Sequence, residues 1–379
     1  MSDSTVHWVG TGLSTGSGLA LLCDRANQVV LYGRTREKAE RLLGRLGLTG
    51  RASAAVYHPA TFATGVRPGD VVVSMLPATE HPGLLRSCLD RRAHFACSSY
   101  VSEQLRTGAP DAADGGLVVL TEAGLDPGID HLLAHRLVAR AIEQVGAEAT
   151  EVRFTSYCGG LPAVPNEFRY QFSWAPRGVL GALRSPAQYV EGGERRLVER
   201  PWEATRPHLV DGERFEVYPN RDSLPFVDQY GIPDGWQLDT FVRGTLRLDG
   251  WHRAWQPVFD VLLTGDTERI NALADELAQR YPTGDDDRDR VVLSVALSAR
   301  GPDGRTWSGA YLLDLVGDAA QTAMARCVSV PLAYGVGRIL DGSTRPGLHR
   351  ATEDAGEAAE WLAYLRQHGI ECRSRETYQ

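Results

Sequence analysis

The stretch of this chain whose residue types could do chemistry runs Thr121-Glu122-Ala123-Gly124-Leu125-Asp126-Pro127-Gly128-Ile129-Asp130-His131. Three carboxylates lie among two glycines and a proline. Asp126-Pro127-Gly128 reads as a turn, with proline presetting φ and glycine taking the left-handed position. Taken alone, the stretch is an ordinary solvated loop between strand and helix. Two other segments share its character. Ser98-Ser99-Tyr100 ends one apolar run, and Ser156-Tyr157-Cys158-Gly159-Gly160-Leu161-Pro162 reads as a strand end opening into a thiol and two glycines. Asp126, Tyr100 and Cys158 are the groups that could move a proton, which requires hydrogen-bond reach of the reacting atom. Arg221 in Asn220-Arg221-Asp222 and Arg243 in Arg243-Gly244-Thr245 each offer a planar fork to a carboxylate. Internal pairing with Asp222 or Asp239 is the alternative for both arginines.

Such residues need a frame, and the first third of the chain supplies a periodic one. Apolar β-type runs at residues 6–9, 28–32, 54–57, 70–74, 94–97 and 117–120 alternate with helical patterns, notably 36–46 and 82–91. That alternation predicts an α/β fold, a Rossmann-type doubly wound parallel sheet. Ligands of such sheets bind at the carboxyl ends of the strands. Those ends carry Met75-Leu76-Pro77, Ser98-Ser99-Tyr100 and Glu122 to Asp126. After the first strand comes Gly10-Thr11-Gly12-Leu13-Ser14-Thr15-Gly16, a glycine-rich turn leading into a helical pattern. Gly10 permits the tight turn, Gly12 allows close approach of a pyrophosphate, and helix N-terminal amides would hold its charge. Gly16 comes one residue later than the commonest spacing. The second strand ends at Gly33-Arg34-Thr35, where an NAD-specific fold usually places an acid for the ribose. Arginine stands there, suited to a 2′-phosphate, with Thr35 as a further donor. The expected cofactor is NADP(H).

Beyond residue 145 the period changes. Period-two runs at 151–157, 241–248, 258–263, 291–299 and 308–315 read as strands, with Gly301-Pro302-Asp303-Gly304 as a hairpin turn between the last two. Helical patterns lie at 266–281 and 319–339. A second α+β domain with a mixed sheet is expected. The boundaries are 1–126 for a nucleotide domain, with the segment from about 345 to 379 packing back on it, and 127–344 for a substrate-binding and dimerisation domain. Asp285-Asp286-Asp287-Arg288-Asp289 lacks the turn glycine and terminal glutamate of a calcium loop and reads as solvated. His131 and His135 share a helical face, but Leu132 stands where a zinc-peptidase helix has glutamate. No metal is expected.

The bulk numbers narrow the class. The 379 residues are 43% hydrophobic, enough for two packed domains. A net charge of −8 without a basic stripe argues against nucleic-acid binding. No apolar run approaches a membrane span. The polar opening Met1-Ser2-Asp3-Ser4-Thr5 lacks the apolar core of a signal peptide. The six cysteines are scattered, without Cys-x-x-Cys, as in a reducing compartment. A cytoplasmic protein is expected.

Several long segments, in order, resemble one family. Ser98-Ser99-Tyr100-Val101-Ser102, the stretch from Glu122 to His131, Ser156 to Pro162, Phe172-Ser173-Trp174-Ala175-Pro176-Arg177-Gly178-Val179-Leu180, Tyr218-Pro219-Asn220-Arg221-Asp222-Ser223 and Val242-Arg243-Gly244-Thr245-Leu246-Arg247 are similar to the saccharopine reductases, the NADP-dependent, L-glutamate-forming saccharopine dehydrogenases. The resemblance covers nearly the whole chain. It implies reduction by NADPH of the imine between glutamate and α-aminoadipate semialdehyde, giving saccharopine. It implies substrate contacts at Ser99, Tyr100, Asp126, Arg221, Arg243, Gly244 and Thr245. It implies cofactor contacts at Gly10, Thr11, Gly12, Leu13, Gly16, Gly33, Arg34, Thr35, Leu76, Leu125, Asp126, Pro127, Ser173 and Trp174. It also implies a homodimer and a small helical region appended to the substrate domain. The chain departs from the family at its glycine loop, where Gly-Ser-Gly-Phe-Val is commoner, and in being shorter than fungal members after residue 263. Two alternatives remain. One is an enzyme of a specialised biosynthetic pathway joining a different amino acid and aldehyde. The other is a non-catalytic NADP-binding regulator.

Overall fold

The computed structural model describes residues 2–172, 176–281 and 287–378. The chain forms two compact units. The first comprises Met1–His131, Ala320–Thr352 and Glu360–Gly369; the second comprises Leu132–Ala319, Glu353–Ala359 and Ile370–Gln379.

The first unit is built on a seven-stranded sheet in the spatial order Gly347–His349, Val118–Leu120, His94–Cys97, Val71–Ser74, Ser2–Val9, Ala26–Gly33, Ser53–Val56. Every neighbouring pair is parallel. The six expected strands are all present. A seventh comes from Gly347–His349, three residues too few to carry a periodic signal. The central strands are apolar on both faces, as Val71, Val72 and Val73 illustrate, each wholly buried. That is what a sheet covered by helices on both sides demands. Strand order reverses beside Ser2–Val9, so the carboxyl ends of Ser2–Val9 and Val71–Ser74 flank the switch point.

Helix starts in this unit are set by side chains. Thr35 caps Arg36–Arg45 by accepting from the Lys38 amide, and Ser102 caps Glu103–Asp114 by accepting from the Leu105 amide. The eighteen-residue helix Ala323–Leu340 packs against the short helix Gly18–Cys23. Contact is so close that a Cβ on Gly18 would sit 2.0 Å from the Ser329 carbonyl oxygen.

The second unit holds a mixed sheet. Its main path runs Arg206–Val210, Glu213–Pro219, Leu238–Leu248, Thr150–Pro162, Asp289–Arg300, Thr306–Val316, Cys372–Tyr378, and Ala187–Glu191 with Glu194–Val198 joins at Leu238–Leu248. Leu238–Leu248 and Thr150–Pro162 are parallel; the other neighbours are antiparallel. The hairpin at residues 301–304 pairs Arg300 with Thr306.

One expected strand is a helix. Residues 258–263 lie in Gln256–Leu263, where Val258, Phe259 and Leu262 are buried at helical spacing. A six-residue apolar run fits either periodicity, and Pro257 in the first turn favours helix. That helix joins Pro176–Leu183 and Thr267–Arg280 around an aromatic cluster containing Phe168, Tyr170, Trp202, Trp251, Trp255 and Phe259.

Candidate active site

In the first unit, two loops at the carboxyl edge of the parallel sheet meet. One follows His94–Cys97 and the other follows Val118–Leu120. The Tyr100 hydroxyl donates to Asp126 Oδ1 at 2.7 Å, and both residues are half-buried. The Asp126–Pro127 peptide is cis. Gly128, at φ +147°, lies so close to Gly124 that a Cβ would fall 2.1 Å from the Gly124 carbonyl oxygen. That close approach makes glycine obligatory there.

Beneath this pair runs a buried ionic network. Glu122 Oε1 accepts from the Val101 amide at 3.0 Å, so one loop's carboxylate holds the other loop's backbone. Glu122 Oε2 lies 3.0 Å from His131 Nε2 and 3.4 Å from Arg350 Nε. Asp130 Oδ2 lies 3.4 Å from His131 Nδ1, and Asp130 Oδ1 accepts from the Gly128 amide at 2.7 Å. Burial alone would raise the Glu122 carboxyl. His131, the Val101 amide and Arg350 outweigh it and hold the group at about 2. Glu122, His131 and Arg350 were not singled out from the sequence as site residues. Glu122 sat within the opening stretch, whereas Arg350 lies 228 residues further on and carries no local signal.

His81 was also missed, at the first position of helix His81–Arg91. Its Nε2 is 3.0 Å from Ser99 Oγ and its Nδ1 is 3.0 Å from Ser74 Oγ. Ser99, an expected substrate contact, is thereby tied to the end of the neighbouring strand. Leu125 and Pro127 are buried, and Leu76 packs against the core cluster beneath the sheet.

The glycine-rich loop departs from expectation in one respect. The amides of Ser17 and Gly18 at the start of Gly18–Cys23 are already taken, by Gln321 Oε1 at 2.9 Å and Ser329 Oγ at 3.1 Å. Helix N-terminal amides are therefore not available to a phosphate. Gly16 serves packing too, since a Cβ there would meet Gln321 Oε1 at 2.7 Å and the Ala325 carbonyl at 2.9 Å. Thr11, Gly12, Leu13 and Ser14 are different. Among the described residues no acceptor takes their amides, and Gly12 and Leu13 are exposed. Gly10, at φ +127°, passes so near Met75 that a Cβ would lie 2.9 Å from the Met75 Cβ.

In the second unit, Ser156 to Pro162 do not leave a strand end. They lie inside the thirteen-residue strand Thr150–Pro162. Gly159 is needed because a Cβ would fall 2.3 Å from the Leu246 carbonyl oxygen, a strand-to-strand approach and not a turn. Cys158 pairs with Thr245 and Ser156 with Arg243. Alternation then sets Cys158, Arg243 and Thr245 on one sheet face and Gly244 on the other. Arg243 is 5% exposed, its guanidinium 3.8 Å above the Phe226 ring. The Ser223 hydroxyl accepts from the Arg243 amide at 2.9 Å, and the Asn220 amide donates to the Arg243 carbonyl at 3.0 Å. These bonds bring the turn carrying the exposed Arg221, at φ +58°, beside the Arg243 strand. Asp239 pairs with Arg153 at 2.8 Å, and Asp222 accepts from the Leu224 amide. Arg247, also missed, is buried on the same face beneath Tyr170. His135 packs on the Tyr230 ring. Ser173, Trp174, Asp285 and Asp286 lie outside the described residues.

Comparison with known proteins decides the family. Residues 6–120 match the saccharopine dehydrogenase NADP binding domain, and residues 124–370 match the saccharopine dehydrogenase C-terminal domain. The chain belongs to the saccharopine dehydrogenase family. It is 36% identical over 276 residues to a saccharopine dehydrogenase [NADP(+), L-glutamate-forming] of Pyricularia oryzae, covering 71% of this chain and 60% of that one. It is 39% identical over 209 residues to the protein of that name from Saccharomyces cerevisiae, covering 53% and 45% respectively. The chain thus spans about half of the length of the curated relatives it matches. A solved structure of apo saccharopine dehydrogenase (L-Glu forming) from Saccharomyces cerevisiae superposes with a TM-score of 0.80 at 27% identity, covering 99% of this chain and 100% of that one.

The first unit of this saccharopine dehydrogenase family member is thus an NADP-binding domain of Rossmann type. Its residues fit the dinucleotide. The open amides of the 11–14 loop sit at the switch point, and Gly12 has open space where a side chain would project. Arg34 stands exposed at the end of Ala26–Gly33. Thr35 is committed as a helix cap, so its oxygen already accepts from the Lys38 amide.

Proposed function

We propose that this chain is an NADPH-dependent oxidoreductase acting on a carbon–nitrogen bond, which reduces the imine between an amino acid, glutamate, and an aldehyde such as α-aminoadipate semialdehyde. The product is saccharopine or a saccharopine-like secondary amine. The observation that carries this reading is the Tyr100–Asp126 pair, 2.7 Å apart at the carboxyl edge of the NADP-binding sheet. A phenol hydrogen-bonded to a carboxylate, half-exposed, is placed to hold or pass the proton of a substrate amine. When bound, NADPH supplies the hydride. Ser99 contacts the substrate beside that pair. Arg221 and Arg243 clamp carboxylates, and Gly244 and Thr245 follow Arg243 along the same strand.

The division of labour follows: residues 1–126 hold NADP(H), with Gly10, Thr11, Gly12, Leu13, Arg34, Leu125, Asp126 and Pro127 among the contacts, and residues 127–344 bind substrate and dimerise, except that the part from Ala320 onward returns to the first unit. Support comes from family membership across residues 6–370 and from the buried, aromatic-backed Arg243. A cytoplasmic location belongs to the same proposal; separately, no described helix is long and apolar enough to cross a membrane. Purified protein given NADPH, a panel of amino acids and a panel of aldehydes is the test. Oxidation of NADPH that requires both partners, with a secondary amine found by mass, supports the reading. Alcohol formation without any amino acid would sink it.

A further inference from the structure

Ser74 and His81, which hold Ser99, have no role in the function proposed above. His81 is 1% exposed and bridges the ends of two adjacent parallel strands, 3.0 Å from each serine oxygen. Burial holds the imidazole down at about 4, so it is neutral near neutral pH. A neutral imidazole has one donor nitrogen and one acceptor. The two serines must therefore play opposite roles.

Ser74 decides which. It is 1% exposed, and among the described residues its hydroxyl has a single partner, His81 Nδ1. If Nδ1 carried the proton, the Ser74 O–H would point into the core without an acceptor, and leaving a buried donor unmet is costly. The proton economy closes only when Ser74 donates to Nδ1. Then Nε2–H donates to Ser99 Oγ, and the Ser99 hydroxyl proton must point away from His81. Ser99 is half-buried at the sheet's carboxyl edge, next to Tyr100.

We propose that His81 is a positioning residue which fixes Ser99 as a hydrogen-bond donor, and so suits it to an α-carboxylate of the amino-acid substrate. This rests on the reductase reading for the identity of the substrate, whereas the direction of the relay rests on the geometry alone.

Two measurements separate these parts. Protein labelled with ¹⁵N-histidine should show His81 with a protonated Nε2 and a bare Nδ1, and Ser74→Ala should weaken that preference. A protonated Nδ1 in the unmutated protein overturns the relay, however fast the enzyme runs. In steady-state kinetics, Ser99→Ala and His81→Phe should each raise the amino-acid KM about tenfold, with NADPH Kd held within about twofold. The double variant should be no worse than either single one, because both remove the same hydrogen bond. His81→Gln, whose amide N–H can reach Ser99, should recover most of the loss. Ser74→Ala removes one buried atom and should raise the KM severalfold if His81→Phe does not fold. Additive losses, or a change confined to NADPH binding, would make His81 a packing residue and overturn the proposal. Absence of turnover with every amino acid and aldehyde would remove the substrate half together with the reductase reading.

Discussion

At the scale of single residues, charge and its burial separate cofactor, substrate and framework roles. Arg34 is exposed at the end of Ala26–Gly33, where a ribose-binding acid would otherwise stand. NADPH should bind more tightly than NADH, and Arg34→Ala should narrow the gap when both dissociation constants are measured by fluorescence titration. Arg243 is buried against Phe226. Losing a charge-assisted bond costs roughly 1.5–3 kcal/mol, so Arg243→Ala should raise the amino-acid KM by about ten- to a hundredfold. Lysine there should rescue only part, since it lacks the planar fork; unchanged KM values would make the arginine structural. Cys158 faces the same side as Arg243 from the middle of a strand. Hydride transfer needs no nucleophile, so Cys158→Ser should keep at least about a tenth of the activity. Glu122 carries a pH signature. Its carboxyl falls from 4.5 to about 2 in the folded state. A depressed carboxylate stabilises fully above its unfolded value, and the contribution is lost as pH drops through the folded value. Across that window the contribution is roughly 3 kcal/mol. Melting temperature should therefore fall between about pH 4.5 and pH 2, and Glu122→Gln should flatten that part of the profile while lowering stability at neutral pH.

At the scale of elements, the carboxyl edge of the first sheet is assembled by close contacts as much as by strands. The helix Ala323–Leu340 lies on Gly18–Cys23 through Gly16 and Gly18, and Gln321 just ahead of it and Ser329 within it accept from the amides there. A Cβ 2.0 Å from a carbonyl oxygen cannot be absorbed without moving backbone. Overpacking of this kind costs about 1–3 kcal/mol or more. Gly18→Ala should lower the denaturation midpoint accordingly and weaken NADPH binding through the displaced 11–14 loop. An unaltered midpoint would mean that the two helices part freely. The same logic accounts for residues 156–162, whose sequence reads as a strand end and which lie within the strand Thr150–Pro162. Their glycines suggest a turn, yet Gly159 is glycine because a neighbouring strand passes over it.

At the scale of the whole molecule, each unit has its own sheet and its own core. The chain leaves the first unit at His131, near the close of the turn carrying Asp126, and returns to it at Ala320. Helix Ala323–Leu340 and strand Gly347–His349 of that returning segment complete the nucleotide domain, and Arg350 reaches Glu122. The network under the Tyr100–Asp126 pair is thereby assembled from residues more than two hundred positions apart.

Local patterns determined much of this protein without any tertiary information. Repeated βα alternation gave six of the seven parallel strands, and the glycine loop and Arg34 pointed to NADP. Long motifs around Ser99, Asp126 and Arg243 marked the family, because each is a continuous segment and its signal survives in one dimension. Tertiary structure decided the rest. A six-residue apolar run at 258–263 became helix when its side chains joined an aromatic cluster formed by distant segments. Gln321 and Ser329 took the helix amides that the glycine motif would assign to phosphate. Glu122, His131 and Arg350, like Ser74, His81 and Ser99, became networks only when loops from separate strands met. The physical reason is shared: buried groups, apolar or polar, must find partners, and the chain finds them in space, where sequence distance leaves no pattern to read.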